Sequence, residues 1–216
     1  SFGIDLYEND PETTVKRRVR AAGCNNIEKF FQIEDHFVMG QPRFEPSLEE
    51  LMKRIDPVLV VFDTLNNYLG KGDINNSKDA TQALSPFHKF ARKYKCAVVV
   101  LRHLNKGGGD GPAIYRGQGN IAQTGVARVV LSCAKLNDTT EEYEGEGWVG
   151  MGTTKNNLAS LGKTIVYRIK FDPTAPKGYD ENAHVVMHGF IDKTSDELLT
   201  FKREDRKKDK GMTERE

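Results

Sequence analysis

The sequence predicts an α/β fold in which a mostly parallel sheet is flanked by helices and extended by antiparallel strands toward the C-terminus. Short, continuous apolar runs at residues 58–62 and 97–101 are typical of strands that a parallel sheet buries on both faces. An amphipathic segment at residues 78–94 separates them, which favours a right-handed parallel crossover. Beyond residue 131 the pattern changes to strands joined by turns, which indicates antiparallel hairpins. These strands cover residues 147–155, 164–171 and 184–191.

The first elements of the chain are a strand and a helix. Residues 2–7 are predicted to be a strand, and Asp10 and Pro11 suit the N-cap and the first position of the helix that follows. Gly23 can end that helix. Residues 27–33 are predicted to form another strand.

The next helices have their own signals. Ser47 and Glu50 match a capping box at the start of a helix that runs toward the 58–62 strand. In the 78–94 helix, Pro86 predicts either a kink or the cap of a second helix. A further apolar run at 126–131 is predicted to be a strand. We therefore expect four parallel strands in one sheet, at residues 2–7, 58–62, 97–101 and 126–131.

Composition limits the classes of function. The 216 residues carry 29% charged side chains and a net charge of +1, so any nucleic-acid contact must be local. The sequence contains no apolar run of membrane-spanning length and no signal peptide, so we expect no membrane association. Three widely spaced cysteines suit free thiols in a reducing cytoplasm. Residues 1–201 are predicted to form one domain core, followed by a charged tail at 202–216.

Asp63 is the first candidate for chemistry, because it ends the apolar run at 58–62. Open α/β sheets bind ligands at the carboxyl ends of their parallel strands. A carboxylate there, beside a bound phosphate, commonly holds Mg²⁺, and the segment resembles a Walker B element. The alternative is an aspartate that only caps the next turn.

Two further side chains follow predicted strands. Glu8 comes after the first strand and can orient and deprotonate a water molecule, or it can merely favour a helix N-terminus. His103 follows the 97–101 strand and can contact a γ-phosphate and transmit its loss, or it can be an ordinary surface histidine. Lys106 adds a charge that attracts phosphate.

A set of short motifs occurs in a fixed order along residues 2 to 171. They are Glu8-Asn9-Asp10-Pro11, Arg18-Val19-Arg20-Ala21-Ala22-Gly23, Val60-Val61-Phe62-Asp63, His103-Leu104-Asn105-Lys106-Gly107, Arg116-Gly117-Gln118-Gly119, Arg128-Val129-Val130-Leu131 and Lys155-Asn156-Asn157-Leu158. In this order they resemble the RecA-like ATPases of the hexameric plasmid-replication helicase type. The resemblance implies a RecA-like core that uses ATP and Mg²⁺ and associates into a ring.

The same resemblance implies roles for single residues. Glu8 would activate water, Asp63 would serve Mg²⁺, and His103 would sense the γ-phosphate. Arg116 would complete the site of the neighbouring subunit. Arg128 is a second candidate for that role, although it can equally be a structural partner of a carboxylate.

The implied function is ATP hydrolysis coupled to work on DNA, by a replicative helicase or a loader ATPase. A mix of basic and aromatic side chains, which can together hold a nucleic-acid backbone, comprises Arg102, Lys106, Tyr115, Arg116 and Lys155. Among them Lys106, Tyr115 and Lys155 are the candidate DNA contacts. A solvated glycine-rich loop with incidental charges is the alternative. Two other readings stay open, namely a recombination or signalling ATPase that unwinds nothing and a non-catalytic interaction module, so enzymatic activity is itself undecided.

The sequence departs from the family in lacking a P-loop. Its Gly162-Lys163-Thr164 has Asn157 where a P-loop requires glycine, and it leads into a strand at 165–169 instead of a helix. We interpret it as a hairpin turn. We therefore expect the chain to be the larger, later part of an ATPase core, with the missing strand lying centrally in the sheet.

Overall fold

The computed structural model describes residues 2–5, 15–33, 37–69, 77–103, 121–136, 147–170 and 183–200. The chain divides into two compact units. The first comprises Ser1–Gly109 with Tyr115–Val126, and the second comprises Asp110–Ile114 with Ala127–Glu216.

A four-stranded parallel sheet forms the centre of the first unit. Its strands are β1 (Phe2–Asp5), β2 (Phe31–Ile33), β3 (Leu59–Asp63) and β4 (Ala97–Val100), in the order β2-β1-β3-β4. The parallel pairing of the strands predicted at 2–7, 58–62 and 97–101 is therefore confirmed. The strand predicted at 27–33 is shorter, because Ile27–Lys29 is a turn of 3-10 helix.

Three helices accompany these strands: α1 (Lys16–Ala21), α2 (Glu45–Ile55) and α3 (Ser77–Tyr94). Gly23 ends α1 as predicted. Its φ is +83°, and its N–H donates to the Arg20 carbonyl at 2.9 Å while the Cys24 N–H reaches the Val19 carbonyl at 3.1 Å. This is the Schellman pattern, in which a left-handed residue is needed and glycine is the residue that takes it without strain.

Two details of the other helices differ from expectation. The predicted capping box at Ser47 is wrong, because α2 already begins at Glu45 and has no side-chain cap. Pro46 lies in the first turn, where its fixed φ favours an earlier start. α3 is a single helix that contains Pro86, so the hypothesis of a second helix capped there is wrong.

Aromatic side chains build the core of the first unit around Phe62 in β3. Phe62 is fully buried and makes edge-to-face contacts with Tyr68 and Phe87, with ring centroids 5.1 and 4.9 Å apart. Such pairs stabilise beyond the area they bury. At the surface of the same layer, Glu49 of α2 pairs with Lys93 of α3 at 2.8 Å. α2 and α3 are thus held against the face of the sheet that carries Phe62.

The second unit contains an antiparallel sheet. Its strands, in order across the sheet, are β5 (Val129–Lys135), β6 (Trp148–Asn156), β7 (Thr164–Lys170) and β8 (His184–Ile191). The predicted antiparallel strands are confirmed. The parallel strand predicted at 126–131 is wrong: β5 pairs antiparallel with β6, and Ile121–Val126 forms a short helix, α4. The apolar run at 126–131 suggested a strand that is buried on both faces. In β5, however, exposed residues alternate with more buried ones, as in an antiparallel strand that has one face on the core.

A short helix, α5 (Ser195–Thr200), packs on this antiparallel sheet. A Cβ on Gly150 would lie 2.8 Å from the Leu198 side chain, so glycine permits the close approach. Thr194 and Glu197 form a reciprocal cap: the Thr194 N–H donates to Glu197 Oε2 at 2.6 Å, and the Glu197 N–H donates to Thr194 Oγ1 at 3.3 Å. We did not predict this helix, although the Thr-x-x-Glu spacing signals it.

Gly162 and Lys163 lie in the connection between β6 and β7, and Thr164 begins β7, which confirms the hairpin interpretation. Lys163 pairs with Asp192, with its Nζ 3.0 Å from Oδ1. The buried Thr164 hydroxyl donates to the Lys193 carbonyl. Both side chains therefore make their contacts within the second unit. No helix in the described ranges is long and apolar enough to cross a membrane.

Candidate functional site

The carboxyl ends of β1, β3 and β4 lie along one edge of the first sheet. Asp5 on β1 is the register partner of Asp63 on β3, and Phe62 on β3 is the partner of Val100 on β4. His103 follows three residues after Val100. The structure therefore places Asp63 and the segment that leads to His103 at the same edge, as the order of the motifs predicts.

Backbone hydrogen bonds fix the ends of β3 and β4 to each other. The Leu101 N–H donates to the Phe62 carbonyl at 2.9 Å, and the Leu101 carbonyl accepts from the Leu65 N–H at 2.8 Å. Asp63 lies between these two bonds. Its backbone position is therefore set by the ladder that also holds the start of the His103 segment.

Asp63 is half-buried, and the chain after it turns into a 3-10 helix at Leu65–Tyr68 whose first and last residues are buried. The Asp63–Thr64 peptide bond is cis. The part of the chain covered by the structure contains no group of three or more His, Cys, Asp or Glu side chains that could hold a metal ion. A single carboxylate suits Mg²⁺, which keeps several waters and is commonly held by one or two carboxylates together with substrate phosphates. The residues present therefore fit this ion as part of a Mg·nucleotide complex.

His103 is exposed, whereas its neighbour Arg102 is half-buried. Arg102 Nη2 donates to Thr124 Oγ1 in α4 at 2.7 Å, and burial lowers the pKa of the Arg102 guanidinium. The sequence pointed to Arg102 only as one charge of a basic cluster. Nothing in the sequence around Thr124 marks it as a partner, so this contact was not predicted.

Four of the predicted site residues lie outside the described ranges, namely Glu8, Lys106, Tyr115 and Arg116. Glu8 follows the last residue of β1 by three positions. Their roles stay predictions.

The other two predicted residues belong to the second unit. Lys155 on β6 is half-buried, and its Nζ donates to the Ala127 carbonyl at 2.7 Å. Arg128 is exposed, and its carbonyl accepts from the Asn157 N–H at 2.9 Å. Lys155 therefore stabilises the entry to β5. Its DNA contact and the subunit-crossing role of Arg128 stay predictions.

Residues 7–109 match the family model described as AAA domain. A comparison with curated proteins found no match.

Solved structures share the fold. A DnaB-like replicative helicase, determined with its interactions with primase, superposes with a TM-score of 0.60 at 15% identity, covering 86% of this chain and 50% of that one. The ATPase domain of G40P gives 0.59 at 15% identity, covering 89% of this chain and 74% of that one. The RadB recombinase gives 0.50 at 14% identity, covering 86% and 78%. This chain thus spans about half the length of the DnaB-like helicase chain. The predicted resemblance to RecA-like ATPases of the replicative-helicase type is confirmed, and this chain shares their fold.

Proposed function

We propose that this chain, whose fold is that of RecA-like ATPases, binds Mg·ATP at the carboxyl edge of its parallel sheet and hydrolyses it to drive work on DNA. The observation that carries the proposal is the position of Asp63 at the end of β3, beside the ends of β1 and β4. Ligands of open α/β sheets bind at this edge.

Each strand end supplies one group in the proposed reaction. Asp63 would hold a Mg²⁺ ion, and that ion would supply charge neutralisation to the nucleotide phosphates. Glu8 orients the attacking water and accepts its proton. His103 is exposed at the end of the neighbouring strand and contacts the γ-phosphate. Arg116 completes the site of an adjacent subunit, and a guanidinium in that position stabilises charge on the transferring phosphoryl group.

The coupling to DNA and the assembly into a ring rest on similarity. The structural neighbours include a DnaB-like replicative helicase and a recombinase, both with the same core fold. We propose the first of these functions, a ring-forming replicative helicase or loader ATPase, because the DnaB-like helicase superposes with a higher TM-score (0.60) than the recombinase (0.50). Lys106, Tyr115 and Lys155 would then face the DNA.

A paramagnetic probe tests the nucleotide site without requiring turnover. Mn²⁺ replaces Mg²⁺ in the nucleotide complex and broadens the proton signals of nearby side chains. The chain has five histidines, so each imidazole signal can be assigned by single substitution. We expect Mn·ATP to broaden His103 more strongly than His88 on α3. Asp63→Asn should remove the effect.

Free Mn²⁺ without ATP is the matched control, because it separates nucleotide-dependent binding from adventitious metal. Equal broadening of all histidines, or an undiminished effect in Asp63→Asn, would contradict the assignment. Equal broadening of all histidines would favour the alternative of a non-catalytic interaction module with the same fold. An undiminished effect in Asp63→Asn would leave the nucleotide site in place and overturn only the metal role of Asp63.

A further inference from the structure

Two side-chain hydrogen bonds attach α4 to other elements of the first unit. Arg102 Nη2 donates to Thr124 Oγ1 at 2.7 Å, and His88 Nε2 on α3 lies 2.8 Å from the Val126 carbonyl, to which it donates. The first bond joins residues 22 positions apart in the chain. Arg102 also directly precedes His103. Arg102, two residues after β4, therefore contacts α4, and the next residue, His103, makes the proposed phosphate contact.

The Arg102–Thr124 bond lies largely out of water. Thr124 is only 2% exposed, so its hydroxyl has little access to solvent. Arg102 is half-buried, and although burial lowers the pKa of its guanidinium, the group stays protonated in proteins. A buried hydroxyl or charge that loses its partner is costly. The two groups therefore keep the side chain of Arg102 directed toward α4.

This orientation has a consequence for the backbone. Leu101 is held to Phe62 of β3 through its N–H and to Leu65, in the 3-10 helix after β3, through its carbonyl. Arg102 follows it with its own side chain bonded to α4. His103 thus leaves the sheet from a segment fixed at two successive residues. A γ-phosphate contact needs such support, because a site displaced by a fraction of an ångström loses its productive geometry.

We propose that Arg102 is a positioning residue: its bond to Thr124 fixes α4 against the end of β4 and thereby sets the position of His103 at the nucleotide edge. The role of His103 rests on the proposed function, whereas the anchoring of α4 does not. The two parts are tested by separate measurements.

Hydrogen exchange of the α4 amides tests the anchoring. Thr124→Val keeps the shape of the side chain but removes the acceptor, and it should accelerate exchange in residues 121–126 about tenfold, the factor expected when a hydrogen bond to a charged group is lost. Thr124→Ser restores the acceptor and should return exchange to the wild-type rate. Lys93→Met breaks the exposed Glu49–Lys93 pair of the same unit and should leave α4 unchanged.

Two results would overturn the anchoring: unchanged exchange in Thr124→Val, or an equal acceleration in β3 and α4, which would indicate general destabilisation. If Thr124→Val does not fold, Arg102→Lys provides the same test. Lysine keeps the charge but lacks the planar guanidinium that reaches Thr124.

Mn·ATP broadening of His103 tests the positioning. In Thr124→Val the broadening should fall at least twofold at the same bound nucleotide, and Thr124→Ser should restore it. Faster α4 exchange with undiminished His103 broadening would show that Arg102 supports only the helix. If wild-type protein shows no selective broadening, the proposed function fails, while the exchange rates still decide whether Arg102 anchors α4.

Discussion

Asp5 and Asp63 are register partners on the neighbouring parallel strands β1 and β3. The chain therefore leaves β1 at the level where β3 presents its terminal carboxylate. Glu8 follows three residues later in the sequence. The register of β1 and β3 therefore relates Glu8 to Asp63, the two acidic residues that the proposed reaction assigns to separate tasks. Substitution of each residue can separate those tasks.

We expect Asp63→Asn and Glu8→Gln to differ in their effect on nucleotide binding. Asp63→Asn removes the carboxylate that serves the metal, so Mg²⁺-dependent ATP affinity should fall about tenfold or more. Glu8→Gln should leave affinity within about twofold, because a general base acts on water and contributes little to ground-state binding. Displacement of a fluorescent ATP analogue, with and without chelator, measures both. A matching loss in the two variants would argue against the division of roles.

Residues 1–216 should bind Mg·ATP more weakly than micromolar, so the broadening and displacement experiments use millimolar nucleotide. A P-loop supplies the backbone N–H groups and the lysine that hold the phosphates, and this sequence contains none. Calorimetric titration checks the affinity. Micromolar binding would contradict the prediction, and Lys163→Ala would then show whether Gly162-Lys163-Thr164 is responsible. The pairing of Lys163 with Asp192 predicts that this variant has no effect.

Phe62→Ala should be strongly destabilising. Phe62 is fully buried, and removing its ring leaves a cavity among Tyr68, Phe87 and Phe90, which costs about 3–5 kcal/mol. Val58→Ala, just before the same strand, is the matched control. Val58 is 75% exposed, so its truncation should change the free energy of unfolding by less than about 0.5 kcal/mol. Urea denaturation measures both, and similar midpoints would contradict the assignment of the core.

The parallel half of the fold could be predicted because its signals are local and agree with one another. The apolar runs that became β3 and β4 are separated by the long amphipathic helix α3, and this order is compatible with few topologies. β5 was misassigned because Val129–Leu131 is equally compatible with a parallel or an antiparallel strand. The deciding information lies in β6, which begins thirteen residues after β5 ends.

The candidate site, too, could be predicted only in the part that depends on local sequence patterns. The positions of Asp63 and His103 follow from strand ends in a parallel sheet, which the sequence pattern reveals. The Arg102–Thr124 contact could not be predicted, since the residues are far apart in sequence and the intervening segment has no periodic pattern. Side-chain partners of this kind depend on tertiary packing.

In the second unit, Gly152→Ala should destabilise by about 1–3 kcal/mol. A Cβ at Gly152 would lie 2.8 Å from Ser195 Oγ and 2.9 Å from Thr164 Oγ1, so α5 would have to shift. Gly189→Ala on β8 is the control, since no described heavy atom lies within 4 Å of a Cβ built there. Thermal unfolding of the two variants compares them directly. An equally stable Gly152→Ala protein would show that α5 does not pack closely on β6.

The last prediction concerns high pH. Burial, the negative charge of Cys133 and a hydrogen bond to Cys133 raise the pKa of the Tyr167 hydroxyl from 10.0 to about 12. The folded chain thus binds this proton more tightly than the unfolded chain. The resulting contribution to stability is complete below pH 10 and is lost as the pH rises toward 12. Tyr167→Phe has no such proton, so its stability should fall less steeply over this interval. Denaturation at a series of pH values measures the difference, and Cys133→Ser, which removes the thiolate charge but keeps a hydrogen-bonding side chain, separates the two contributions of Cys133. Parallel curves for wild type and Tyr167→Phe would show that Tyr167 titrates normally.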